Sequence, residues 1–123
     1  MTDRPVRLRL SRAKGFDLQA WSREVNGLPA VKVDRSTGYG NPFVAGERPG
    51  FAFARYSTEI VKDDAEAVEL YRRLCLANFA ISDDCVDRLL KLRGKNLACW
   101  CALPQPGEPD ICHAAVLLEL ANQ

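Results

Sequence analysis

Three of the five cysteines and the single histidine of this 123-residue chain fall between positions 99 and 113. Cys99 and Cys101 flank Trp100, and Cys112-His113 follows the loop Ala102–Pro109, which holds three prolines and a glycine. On a strand, residues two apart share a face, so the two thiols of Cys99 and Cys101 point one way. Cys112 and His113 then sit in the first turn of a helix, where free N–H groups and the dipole favour a thiolate. Several chemistries suit this set. Cys99, Cys101, Cys112 and His113 form a Cys₃His group matched to Zn²⁺, although structural zinc usually takes Cys-x₂₋₄-Cys spacing. Alternatively Cys112 is a nucleophile with Cys101 as its partner, or His113 is the acid–base or orienting group. The bland option is that the thiols are small buried hydrophobes and His113 a hydrogen-bonding helix residue.

A second stretch with chemical potential is Asp34-Arg35-Ser36-Thr37-Gly38-Tyr39-Gly40-Asn41-Pro42-Phe43. Two glycines, an Asn-Pro pair and two aromatics mark a tight, ordered loop. It follows a strand, the place where open α/β sheets bind ligands. The expected ligand contacts are Arg35, Ser36, Thr37, Tyr39, Gly40 and Asn41, with Arg35 meeting a phosphate and Tyr39 stacking on a base. The competing reading is a turn whose Tyr39 and Phe43 pin it to the core.

The elements that would position these stretches follow from periodicity. Val6, Leu8 and Leu10 alternate with Arg7 and Arg9, the pattern of a half-buried strand whose basic face is a solvated edge. Residues 17–25 suggest a short helix, closed by Gly27-Leu28-Pro29, and 30–33 a second strand. Between 44 and 62 the pattern is irregular, with short strands expected around Phe51 and Phe53 and at 59–61. Asp63 or Asp64 caps a helix with Val68, Tyr71, Leu74, Cys75 and Phe79 inward. Ser82 caps another, ended by Gly94, with Val86, Leu89 and Leu90 inward. Cys75 and Cys85 belong to these helices as packing residues. Residues 96–100 read as a buried strand, Asp110 as an N-cap and 112–122 as the last helix. Alternating strands and helices argue a single α/β domain over 1–123: a small three-layer sandwich with a mostly parallel, Rossmann-like sheet.

Composition bounds the function classes. With 17 basic against 16 acidic residues, net charge is +1, and there is no global case for nucleic acid or acidic membranes. Basic residues crowd the N-terminus, however, from Arg4 to Lys14. No apolar run suits a membrane span or a signal peptide. Five cysteines, two of them separated by one residue, argue for a reducing cytoplasm rather than a disulfide framework.

Two blocks carry a family resemblance. Arg35 to Phe43 resembles the Arg-x-Ser-Lys-Trp-Gly-Asn-Pro-Phe block of DUF4326, a family without an established activity that is common in phages and bacteria. Leu92-Arg93-Gly94-Lys95-Asn96-Leu97-Ala98-Cys99-Trp100-Cys101, with Cys112-His113-Ala114 and the helix after it, resembles that family's Cys-Trp-Cys … Pro-Cys-His-x-Asp block. The chain departs from the pattern at Gly38, Tyr39, Ile111 and Ala115, where Lys, Trp, Pro and Asp are usual. The expectation is a protein that handles a nucleotide- or nucleoside-like molecule between loop 35–43 and the 99–113 corner. Hydrolysis or transfer at a glycosidic or phosphate centre is the reaction class to test. The rival expectation is a non-enzymatic, zinc-stabilised module that contacts nucleic acid or a protein partner through the basic N-terminal strand.

Overall fold

The computed structural model describes residues 4–123. Its centre is a parallel sheet of three short strands, β1 (Arg7–Arg9), β2 (Ala30–Lys32) and β3 (Asn96–Cys99), in the order β1-β3-β2. β3 is buried at every position, as a middle strand covered on both faces must be. Leu8 pairs with Ala98 and Val31 with Leu97. The ladder runs on past the strand ends, where Leu10 N–H donates to Cys99 O and Val33 N–H to Ala98 O, both at 2.9 Å.

Parallel neighbours need long crossovers, and helices supply them. α1 (Leu18–Asn26) starts where the Asp17 carboxylate accepts from Ala20 N–H, and it stops at Gly27, whose φ of 79° any side chain would strain. α2 (Asp64–Ile81) is capped by Asp63 and α3 (Asp83–Leu90) by Ser82. α4 (His113–Ala121) begins after Cys112, whose backbone is extended and whose side chain makes no cap bond. Asp110 is therefore not the N-cap that its sequence position suggests; its carboxylate is drawn away by Arg7.

The sheet divides the apolar side chains in two. Leu8, Leu10, Ala30 and Ala98 pack with Leu18 and Trp21 of α1. Leu97, Cys99 and Val33 join α2, α3 and α4 through Tyr71, Leu89, Val116 and Leu117. Between β3 and α1 lies a closed polar knot. Asn96 is fully buried; its Oδ1 accepts from Val6 N–H (2.9 Å) and from Asn26 Nδ2 (2.8 Å). Its Nδ2 donates to Ser22 Oγ and to Asn26 Oδ1, each at 2.7 Å.

Two expected strands are absent from the described residues. Phe51–Phe53 is a single 3₁₀ turn, with Phe53 edge-on to Phe43 at 5.5 Å and Phe51 fully exposed. Residues 59–61 form no strand; Val61 exchanges backbone bonds with Gly46 and Glu47 and fixes the irregular segment there. Arg7 also departs from expectation. It does not lie on a solvated edge but is buried in a polar cluster beside the cysteine corner. No helix among the described residues is long and apolar enough to cross a membrane.

Candidate functional site

β3 ends at Cys99, and the chain turns outward so that Trp100 and Cys101 are both exposed. The two thiols still share a side, with Cys99 Sγ 3.6 Å from Cys101 Sγ. The last helix delivers Cys112 and His113 against them. The donor atoms of Cys99, Cys112 and His113 lie within 4.8 Å of one another, and all three residues are buried. None of the five cysteines is in a disulfide. His113 is held on two sides. Its Nε2 lies 2.6 Å from Val33 O and its ring stands edge-on to Tyr71 at 5.4 Å. A carbonyl only accepts, so Nε2 carries the proton and Nδ1 keeps its lone pair. That lone pair faces the sulfurs, with Cys112 Sγ 3.9 Å away.

Arg7 ties this corner together from β1. Its guanidinium takes the Asp110 carboxylate with two bonds (2.6 and 2.9 Å) and donates to Cys101 O (2.9 Å) and Ala102 O (2.6 Å). Burial works against the charge, but the Asp110 hydrogen bond and the surrounding negative groups outweigh it and raise the Arg7 pKa. Both ends of loop 102–109 are thus anchored on one side chain. Within the corner, the hydrogen bond from Cys101, followed by that from Cys112, pulls the Cys99 thiol well below its ordinary value. Cys112, hydrogen-bonded to Cys101 and Cys99 and buried, is pushed well above.

Across from the corner stands the loop that follows β2. Asp34, Arg35, Ser36 and Asn41 line a cleft of about 730 Å³ together with Cys99, Trp100, Cys101, Cys112 and His113. The two sequence-distant stretches face one space. A family model for a domain of unknown function, DUF4326, matches residues 16–123. The chain belongs to that family. No curated protein and no solved structure matches it.

Within this DUF4326 domain the loop is braced by its own polar groups, which settles what each expected contact is free to do. Asp34 Oδ1 accepts from Ser36 N–H and Ser36 Oγ, and Asp34 Oδ2 from Trp100 Nε1 at 2.7 Å. Burial alone would raise the Asp34 pKa; the Ser36 and Trp100 hydrogen bonds and nearby Lys32 hold it below the usual carboxylate value. Thr37 Oγ1 donates to Asp34 O, and Asn41 is committed to Ala67 O and Phe43 N–H. Gly40 lies so close to the Arg35 backbone that a Cβ would stand 2.6 Å from Arg35 Cα. Tyr39 is turned away from the cleft. Its ring lies under the Arg88 guanidinium at 5.1 Å, and its hydroxyl donates to Arg88 O. It lines a separate cavity with Tyr71 and Phe79, so the base-stacking role expected of it has no geometric support. The Arg88 guanidinium also donates to Gly38 O, and a Cβ at Gly38 would meet the tip of that flexible side chain and make it shift. Arg35 is exposed, and among the described residues no hydrogen bond or ion pair holds its guanidinium.

Trp100 was not singled out as a contact by the sequence reasoning, since alternation sends it away from Cys99 and Cys101. Here the chain has left the strand, and Trp100 is 38% exposed at the cleft. The available signal was an aromatic residue one position beyond the end of a central strand. Arg12 stacks on the ring, 4.8 Å from its centroid.

Proposed function

We propose that this domain binds a nucleotide- or nucleoside-like small molecule in the cleft between loop 34–43 and the 99–113 corner. The reading rests on one observation: both stretches line the same cleft, with Arg35 unpaired on one wall and the exposed indole of Trp100 on another. Arg35 supplies a charge-assisted fork for a phosphate, and Trp100 a flat apolar face for a base. Preset loop bonds leave little ordering to be done on binding, which favours affinity. Helices against both faces of a parallel sheet support the finer view of a small three-layer, Rossmann-like sandwich, whose strand ends are the usual seat of such ligands. Five free thiols accord with a reducing compartment.

Binding, rather than turnover, is the function put forward. His113 has one nitrogen bonded to Val33 O and the other facing sulfur, and Cys112 is buried with a raised pKa. Cys101 is the only exposed thiol of the three. Hydrolysis or transfer at a glycosidic or phosphate centre remains the reaction class to assay on any ligand found. Calorimetry of the full chain against nucleosides and nucleoside mono- and diphosphates tests the proposal. Arg35→Ala should weaken phosphate-bearing ligands by about tenfold or more and leave nucleosides unchanged. Trp100→Ala should weaken both. Absence of binding across the panel, or binding indifferent to both substitutions, refutes it.

A further inference from the structure

We infer that Cys99, Cys101, Cys112 and His113 hold a Zn²⁺ ion as a four-ligand centre that joins the end of β3 to the start of α4. The inference does not rest on the ligand reading, since the cleft can bind or fail to bind a nucleotide with this centre filled.

The distances argue for it. With Zn–S near 2.3 Å and Zn–N near 2.0–2.1 Å, a tetrahedron has edges of about 3.8 Å between sulfurs and about 3.6 Å between sulfur and nitrogen. Cys99 and Cys101 stand at 3.6 Å, and Cys112 Sγ and His113 Nδ1 at 3.9 Å. Both pairs stand within about 0.3 Å of the edge an ion would impose. A disulfide, by contrast, requires sulfurs about 2.05 Å apart.

The histidine argues for it independently. Metal-bound imidazoles characteristically donate their second N–H to a carbonyl or carboxylate, which fixes the tautomer and aims the bare nitrogen. His113 does this through Val33 O at 2.6 Å, and its free lone pair faces buried sulfur. Read as simple packing, the same ring would leave a good acceptor with only weak thiol donors in a buried corner, and acceptors so placed are costly. Three buried donors from two elements set the ion's position; Cys101 lies outside that mutually close group but adjoins it, its Sγ 3.6 Å from Cys99 Sγ, and must turn in from the exposed cleft side to close the fourth corner. The thiols give up their protons to water as the ion binds, and the three thiolates leave the centre with one net negative charge. The Arg7 guanidinium donates to Cys101 O beside the centre, although its own charge is already matched by Asp110.

The unusual spacing is resolved by the fold. Two thiols project from one side of the chain at the end of β3, and an extended Cys112 followed at once by a helix turns its thiol and the next imidazole toward them. Adjacent positions 112 and 113 can thus both reach one ion.

Full-length protein purified without chelator should carry about one zinc per chain by mass spectrometry, and Co²⁺ exchanged into it should show the visible absorption of a tetrahedral, sulfur-ligated ion. Cys99→Ser, Cys112→Ser and His113→Ala should each lower metal retention by about tenfold or more, while Cys75→Ser and Cys85→Ser keep it. Because loss of a buried ligand can itself unfold the chain, a second measurement uses the unmodified protein: chelator should lower its melting temperature, and zinc but not magnesium should restore it. The inference is overturned if the folded chain takes up neither Zn²⁺ nor Co²⁺ and its melting temperature ignores both chelator and zinc. Equal loss of metal on Cys75→Ser would overturn it too.

Discussion

Arg7 offers a sharp test of how the corner is built. The side chain is 3% exposed and its partner Asp110 23%. Asp110→Ala would strand a buried guanidinium with only the Cys101 and Ala102 carbonyls for company. Breaking a buried pair from that side costs about 3–5 kcal/mol. For a domain of this size each kcal/mol moves the melting temperature by about 3–6 °C, so a fall of about 10–30 °C is expected. Arg7→Ala leaves a carboxylate that water can reach, and should cost less, about 1–3 kcal/mol. The order of the two effects is therefore diagnostic. A double-mutant cycle by urea unfolding should return a coupling of at least about 1.5 kcal/mol. Hydrogen exchange should quicken in residues 102–110 in both variants, because that loop loses the clamp on its two ends. Were both single variants within about 0.5 kcal/mol of the parent, with no coupling, the pair would be a solvated surface bridge and the reasoning would fail.

Other outcomes follow from the same contacts. Asn96→Ala should destabilise the fold by about 2–4 kcal/mol in chemical denaturation, because it strands the Val6 N–H and removes one partner each from Ser22 Oγ and the Asn26 amide, which keep only their bonds to Leu28 and Arg4; a loss below about 1 kcal/mol would mean that water replaces the amide. Asp34 has a folded pKa below its unfolded value, so its contribution is present above an unfolded pKa of about 3.9 and is lost as pH falls through the folded value. Asp34→Asn should accordingly be less stable than the parent at pH 7 and show a flatter decline below pH about 4; parallel curves would dismiss the carboxylate's role. Gly40→Ala must push the Arg35 backbone aside, and should cost about 1–3 kcal/mol while weakening phosphate ligands as Arg35→Ala does. Unchanged stability and affinity would show the loop to be more yielding than its contacts suggest.

The helices, and the caps at Asp63 and Ser82, were legible because their signals are local, whereas Asp110 looks like a cap and is held by Arg7 instead. Asp17, Asp63 and Ser82 each bond an N–H three residues on, and Gly27 closes α1 with a positive φ. The same holds for the shared side of Cys99 and Cys101. What escaped was decided at long range. Alternation reads Arg7 as an outward basic residue because its partner lies 103 positions away. Asn96 looks like an ordinary strand residue until Ser22 and Asn26 arrive from α1 to satisfy it. Tyr39 has the right chemistry for stacking, yet Arg88, 49 residues on, accepts its hydroxyl on a backbone carbonyl and covers its ring. Short strands at 51–53 and 59–61 were suggested by too few residues for a period of two to mean anything, and the turn signals around Pro49-Gly50 prevailed.

The sheet's middle strand is also its last in synthesis. β1 and β2 have no bond to each other and meet only through residues 96–99. A growing chain therefore emerges with two strands that have no neighbour to join, and their unpaired backbone stays open to strangers until residues 96–99 have emerged. Assembly is then a single event in which distant pairings form together, a topology that folds slowly for its size.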